Sequence, residues 1–243
     1  MVSRGVLPAD LAQREQLSAW EASLVASGLP LVGLDAPSRK PRMAIAAPLS
    51  AGIPGEAELV DIWLTARLPR WRVREALTDR LPAPFRLDDL YDVWLGEPAL
   101  PGRVAASVYR ASLPTVTAVP LAAAARTLLS AEALPRERTR GDNVVAYDLR
   151  PFIVDLEVDE LPGAGACLRM TLRHDPAKGV GRPEETLAAL GEALGGRTLE
   201  PAALVREGLV LADLPAPAPP APRRPMRSSS PRSTSGPRPQ PPG

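Results

Sequence analysis

In the stretch NVVAYDLRPFIVDLEV, residues 143–158, the apolar positions are first odd-numbered (Val145, Tyr147, Leu149) and then even-numbered (Phe152, Val154, Leu156, Val158). Successive side chains of a strand point to opposite faces, so a single buried face cannot run through the whole segment. The parity changes around Arg150-Pro151. A proline has no N–H to donate, so it fits a β-bulge, or a corner between two strands, better than an uninterrupted ladder. The pattern predicts an irregularity at Leu149 to Phe152.

The same reading organises the rest of the chain. Leu17, Trp20 and Leu24 recur at helical spacing, with Asp10 and Gln13 at capping-box separation before them and Gly28 and Pro30 after them, so a first helix is expected. MAIAAPL reads as a strand, AGIPGEAE as a glycine and proline loop, and LVDIWLTA as a central strand with apolar residues on both faces. Pro69 opens a helix through Val73, Ala76 and Leu77, and FRLDDLYDVWLG supplies another strand. This order is α-β-β-α-β. One strand placed in front would make it the ferredoxin-like split β-α-β unit, but MVSRGVL is short and close to the helix, so the opening strand is expected to be missing.

After GEPALPGR a second series begins: the strand AASVYRASL, the helix VPLAAAARTLLSAEA and the charged turn RERTRGDN. The long segment around Arg150 follows, then CLRMTLRHD with Leu168, Met170 and Leu172 inward and Arg169, Thr171 and Arg173 outward. The helix RPEETLAALGEALGG and the strand ALVREGLVLAD close the series. The expected fold is therefore α+β with two tandem ferredoxin-like halves, residues 1–98 and 99–214, the first without its opening strand. Residues 215–243 hold 11 of the 30 prolines and almost nothing apolar, so a disordered Pro/Ser/Arg-rich tail is expected there.

Composition narrows the function classes. Five arginines and no acid lie in residues 215–243, which leaves 24 basic against 28 acidic groups in residues 1–214. A mildly acidic folded part argues against a uniformly basic nucleic-acid binder, though not against a local basic face. With one cysteine, Cys167, and one histidine, His174, the chain lacks the ligands for a four-coordinate Cys/His zinc site or an iron–sulfur cluster, so no cofactor and no metal are expected. Cys167 reads as a small apolar strand residue and His174 as an exposed turn residue. No apolar run approaches the ~20 residues of a membrane span, and no secretory signal is visible, so a cytoplasmic location is expected.

Several segments, in this order, resemble the radical-SAM-linked proteins, a domain of unknown function encoded beside or fused to radical-SAM enzymes: GLPL (28–31), KPRMAIAAPLSAGIPGEAELVDIWL (40–64), YDLRPFIVDLEV (147–158), LRMTLR and GRPEETLAALG. The resemblance spans about residues 11–212. It also shows departures: the basic first strand of that family is missing, Gln13-Arg14-Glu15 stands where relatives carry His-Leu-Asp, and LDAPSRKPR replaces an aromatic Gly-Phe segment. An upstream start would restore the strand. Radical-SAM chemistry needs three thiolates on a cluster, so this chain could only assist a partner.

The resemblance implies a non-catalytic accessory or substrate-binding module working with a radical-SAM partner, with RNA modification as one form of that work. Residues that could hold RNA or another substrate are Arg39, Lys40 and Arg42 in the SRKPR loop, Asp148 and Arg150 at the irregularity, and Arg169 and Arg173 on one strand face. Aromatic residues make up 4% of the chain, which leaves few stacking platforms for RNA. A degenerate paralogue kept as a protein-interaction module is the alternative. A stand-alone acid/base enzyme would have to draw on Glu56, Glu58, Asp61, Asp148 and Asp155.

Overall fold

In the computed structural model, the described residues are 1–8, 13–94, 96–140, 143–175 and 177–212. The predicted tail at 215–243 and the capping residue Asp10 lie outside them. Among the described residues, four helices, α1 (Gln13–Ala26), α2 (Arg70–Leu77), α3 (Ala118–Ser130) and α4 (Pro183–Ala193), are interleaved with twelve strands. The fold is mixed α+β.

The strands before the second helix pair are β1 (Val2–Arg4), β2 (Met43–Ile45), β3 (Gly55–Glu58), β4 (Val60–Ile62) and β5 (Phe85–Leu87). Those after it are β6 (Val104–Leu113), β7 (Pro135–Arg140), β8 (Asn143–Asp148), β9 (Ile153–Glu160), β10 (Ala166–Asp175), β11 (Gly179–Val180) and β12 (Ala203–Leu211). One mixed sheet runs β11-β10-β6-β12-β3-β1-β5, with β9 also paired to β10. Strands from both expected halves thus share one sheet, joined where β12 meets β3 in parallel.

The opening strand is present, which corrects the sequence expectation. Val2–Arg4 is three residues long, yet it lies between β3 and β5 and is antiparallel to both, with Val2 and Arg4 buried. Backbone pairing on both sides compensates for its shortness, a gain that a hydropathy pattern does not register. AGIPGEAE is also corrected: its second half is β3, the neighbour of β1 and β12. LVDIWLTA contributes only β4, which pairs with β2 alone and so is not central. RERTRGDN is corrected in its first part, since residues 136–140 belong to β7, which pairs antiparallel with β8.

The change of parity at Arg150 has a two-part cause. Residues 150–152 form a 3₁₀ turn, so the segment is two strands meeting at a corner. A register shift follows in β9: Leu156 lies opposite Met170, but Ile153 lies opposite Leu172, leaving Val154 as the extra residue of a bulge. Leu149 and Phe152 are buried beneath the corner. Asp148 holds it from one side, its Oδ1 accepting from the N–H of Leu134 (2.7 Å) and of Arg150 (3.0 Å). Arg150 holds it from the other, donating to the carbonyls of Ile153 and Leu129, each at 2.7 Å. Replacing Arg150 by Ala is expected to lower unfolding stability by about 1–3 kcal/mol, because two part-buried carbonyls lose a charged donor. Urea denaturation checks this; a loss below about 0.5 kcal/mol would show the corner to be held by packing alone.

The main core lies between the sheet and α3 and α4. Leu168, Met170 and Leu172 from β10 meet Leu121 and Leu128 of α3 and Leu190 of α4 there. A second cluster gathers Leu24, Leu29, Leu31, Val73 and Leu77 around α1 and α2. Among the described residues no helix is long and apolar enough to cross a membrane.

Candidate functional site: a cavity beneath the first helix

A bulge in β3 builds the most unusual part of the molecule. Val2 lies opposite Glu58 while Arg4 lies opposite Gly55, so one residue of β3 is extra and both Gly55 and Glu58 turn toward the core. Gly55 is required there. A Cβ on it would stand 2.3 Å from Glu58 Oε1, so any side chain would displace the carboxylate.

Around Glu58 stand two buried arginines. Arg206, from β12, has no exposed surface; its Nε donates to Glu58 Oε1 at 2.9 Å and its Nη2 donates to Glu58 Oε2 in a fork-to-fork pair. The same guanidinium donates to the carbonyls of Ala47 (2.9 Å) and Pro48 (3.2 Å). Arg4 donates to the carbonyls of Leu49 (3.1 Å), Ser50 (2.6 Å) and Ile53. The two side chains together anchor the 47–53 loop to the sheet through five backbone carbonyls.

The network continues along the sheet. Tyr109 lies beside Arg206 and Ser107, both of which favour its ionised form, and Ser107 Oγ is 2.8 Å from His174 Nε2. His174 is therefore not an exposed turn residue. It sits in β10 at the same parity as Leu168, Met170 and Leu172, and faces inward. Burial, aided by the positive charge of Arg206, pushes its pKa down to about 4, so the ring is neutral near pH 7 and Nε2 shares a hydrogen bond with the Ser107 hydroxyl. Burial likewise pushes the Tyr109 hydroxyl up. A serine beside a histidine is a nucleophile–base arrangement, but Ser107 is fully buried and lines neither of the two cavities described below. Its hydroxyl completes a hydrogen-bond chain.

Folding couples to this histidine. The unfolded chain protonates near pH 6.5 and the folded chain only near pH 4, so the unfolded state binds more protons between those values. The contribution of the neutral ring is complete above about pH 7 and is lost as pH falls from about 6.5 toward 4. The expected loss is about 1–2 kcal/mol after allowance for solvent screening of a half-exposed ring. Unfolding midpoints of the native chain and of His174→Gln between pH 7.5 and 4.5 check it; equal pH slopes would overturn the assignment.

Between α1 and the strands beneath it lies a cavity of about 560 Å³, walled by Leu17, Trp20, Ile45, Leu49, Val60 and Phe85, with Gln13, Arg14 and Gln16 from α1 and Arg4 and Glu58 from the sheet. Trp20 and Phe85 pack edge to face at 5.0 Å and form one wall. Arg4 Nε and Trp20 Nε1 are buried and have no hydrogen-bond partner. Arg103 Nε and Arg136 Nε are buried without a partner in the same way. A second cavity of about 570 Å³ is lined by Asp61, Trp63, Tyr91 and Trp94, among others. Two of its three arginines, Arg67 and Arg103, are paired with Asp92 and Glu97, the third being Arg70, and the carboxyl of Asp61 is raised by burial.

The residues singled out from sequence for substrate or RNA binding do not gather at one site, and none of them lines either cavity. Arg39 is exposed, Lys40 pairs with Glu21 at 2.9 Å, and Arg42 stacks on Trp63 at 4.5 Å, so these three stay together at one edge. Asp148 and Arg150 fasten the corner, and Arg173 Nε donates to the Pro151 carbonyl beside it at 3.1 Å. Arg169 pairs with Glu207 at 2.8 Å and Glu157 at 3.3 Å on the opposite sheet face. There Glu207 also binds Arg110 (2.7 Å), which reaches Glu56. Burial raises the Glu207 carboxyl, but hydrogen bonds from Arg110 and Arg169 outweigh it and hold the group below its usual range. Cys167 shares that face, half-buried, its thiol raised by desolvation. Of the five acids considered for catalysis, Glu58 and Asp61 lie in different cavities, Glu56 and Asp148 are engaged as described, and Asp155 accepts from the Leu156 N–H. Among the described residues no group of three or more His, Cys, Asp or Glu side chains is placed to hold a metal.

Comparison with known proteins adds three findings. The model of a family described as "Uncharacterized protein conserved in bacteria (DUF2344)" matches residues 38–181. No curated protein matches the chain. Among solved structures, a chain from "Crystal Structure of a Cbf5-Nop10-Gar1 Complex" is similar with a TM-score of 0.45 and 11% identity; the match covers 84% of this chain but only 47% of that one.

Proposed function

This chain belongs to the DUF2344 family of uncharacterized proteins conserved in bacteria, and we propose that it is a binding module without chemistry of its own, whose site is the cavity beneath α1. The observation that carries this reading is the cavity itself: apolar walls with a buried arginine and glutamate among its lining residues. Binding sites for small molecules have this make-up, a mostly apolar enclosure with a few fixed polar groups. Acid/base catalysis would need a positioned pair of groups, and the one carboxylate at the cavity has both oxygens taken by Arg206.

The partner in this proposal is a radical-SAM enzyme to which the module presents a substrate, and the support for it is the sequence resemblance of residues 147–158 and 40–64. RNA as that substrate draws support only from Arg39, Lys40 and Arg42, since Arg150, Arg169 and Arg173 are bound within the fold. We also read the strand orders β9-β10-β6-β12 and β3-β1-β5 as two split β-α-β units, a reading supported by the antiparallel pairing of β6 and of β1 on both sides. The test is affinity capture of the full chain from its native cell. Recovery of an iron–sulfur protein, reduced when Leu17→Trp fills the cavity, is the expected result; capture of no cluster-containing protein would remove the partnership.

A further inference from the structure

The second cavity collects groups that the fold does not use. Residues 61–64, of both parities, all line it, so it runs along the edge of β4 that β2 leaves unpaired. Ile62 and Leu64 pack on the apolar cluster around α1 and α2, which puts Asp61 and Trp63 together on the other face of the strand. Segment 90–94 adds Tyr91 and Trp94, which are 50% and 71% exposed, so both rings are open to a ligand. Arg42 stacks on Trp63, the third ring. Three of the nine aromatic side chains of the chain thus line one concave site, and exposed aromatics gathered in a cavity mark a binding surface.

The charges restrict what fits. Arg67 closes on Asp92 and Arg103 on Glu97, which leaves Asp61 and Arg70, of the charges on the walls, without an ion-pair partner among the described residues. Asp61 is half-buried, and burial raises its carboxyl against Arg103 and the Leu100 N–H, which favour the anion. A carboxylate only accepts, so a group facing it has to donate. A free cation would meet three guanidiniums on the same walls, and a plain anion three carboxylates. A neutral flat ring with two adjacent N–H donors satisfies Asp61 without adding charge and stacks on indole and phenol faces. Of the common nucleobases only guanine carries that pair, N1–H and the 2-amino group, on its Watson–Crick edge. A phosphate joined to it matches Arg70, exposed at the first position of α2, where the helix N-terminus also favours an anion.

We propose that the cavity along the free edge of β4 binds a guanine nucleotide, free or within an RNA, with the donor edge of the base on Asp61, the ring stacked against Tyr91 and Trp94, and the phosphate at Arg70. This site is additional to the cavity beneath α1, with which it shares no lining residue. Its volume, about 570 Å³, is within the range of small-molecule sites.

Isothermal titration of the full chain with 5′-GMP, 5′-AMP and guanosine tests each part. GMP is expected to bind. AMP, which sets a ring-nitrogen acceptor against the carboxylate, is expected to bind at least about tenfold more weakly, and guanosine, without the phosphate, about fivefold more weakly. Asp61→Asn is expected to weaken GMP about tenfold and to bring the GMP and AMP affinities together. Arg70→Ala is expected to weaken GMP about fivefold and to leave guanosine unchanged, and Trp94→Ala to weaken all three about tenfold through lost stacking. These last two positions are exposed and carry the test should Asp61→Asn not fold. Equal affinity for GMP and AMP, GMP binding unaffected by the three substitutions, or no binding of GMP would overturn the proposal. The dinucleotide pGpA separates the sources: affinity equal to or above that of GMP assigns guanine in RNA, and exclusion of it assigns the free nucleotide. Partner capture is read with Leu17→Trp and guanine binding with Asp61→Asn, so either reading can fail while the other stands.

Discussion

Replacing Arg206 by Met is expected to lower the free energy of unfolding by about 3–5 kcal/mol, the largest effect of any single change considered for this protein. The substitution leaves the Glu58 carboxylate buried without its fork partner and releases the carbonyls of Ala47 and Pro48. Breaking one side of a buried pair costs more than the pair is worth, because the survivor stays desolvated and charged. The companion change shows which part is which: Glu58→Leu in the Arg206→Met background is expected to recover much of the loss, since an apolar pair needs no compensation. Denaturation in urea measures both. A single mutant within about 1 kcal/mol of the native chain would mean that Glu58 reaches water.

In β10 the second large effect is expected from Leu168→Ala, about 2–5 kcal/mol, set against less than about 1 kcal/mol for Arg169→Ala one position away. Leu168 is fully buried, opposite Ala111 on β6 and Val158 on β9, and its removal leaves a cavity between strands that cannot close up. Arg169 lies on the other face, in exposed ion pairs with Glu207 and Glu157. Similar costs at the two positions, in the same denaturation experiment, would contradict the assignment of faces.

The alternation in CLRMTLR was legible from sequence because a strand buried on one face imposes period two, and Leu168, Met170 and Leu172 obey it. The same period contained a signal for His174, which continues the inward parity. It was outweighed by the adjoining Asp175-Pro176, which reads as a turn. Pro69 before α2 and Pro183 in the first turn of α4 were legible for a local reason too: proline is at home where a helix has no use for the N–H. The site was much less visible. Arg4 and Glu58 carry charges, and a charged residue in a short polar stretch reads as solvated; only their mutual placement makes them a floor. The cavity beneath α1 is assembled from residues between 4 and 85, and no spacing along the chain encodes a wall.

The amino-acid sequence by itself determined the helices, the inward face of β10, an irregularity at Leu149 to Phe152 and the lack of enough sulfur and imidazole for a four-coordinate Cys/His zinc site, since each follows from local periodicity, backbone chemistry or a simple count. Tertiary structure alone decided that Val2–Arg4 is a strand, that a bulge turns Glu58 inward, and that Arg206, 148 residues farther along, is its partner. The physical reason is that these three depend on pairing between distant segments, whose hydrogen bonds and charge compensation exist only once the sheet has brought them together.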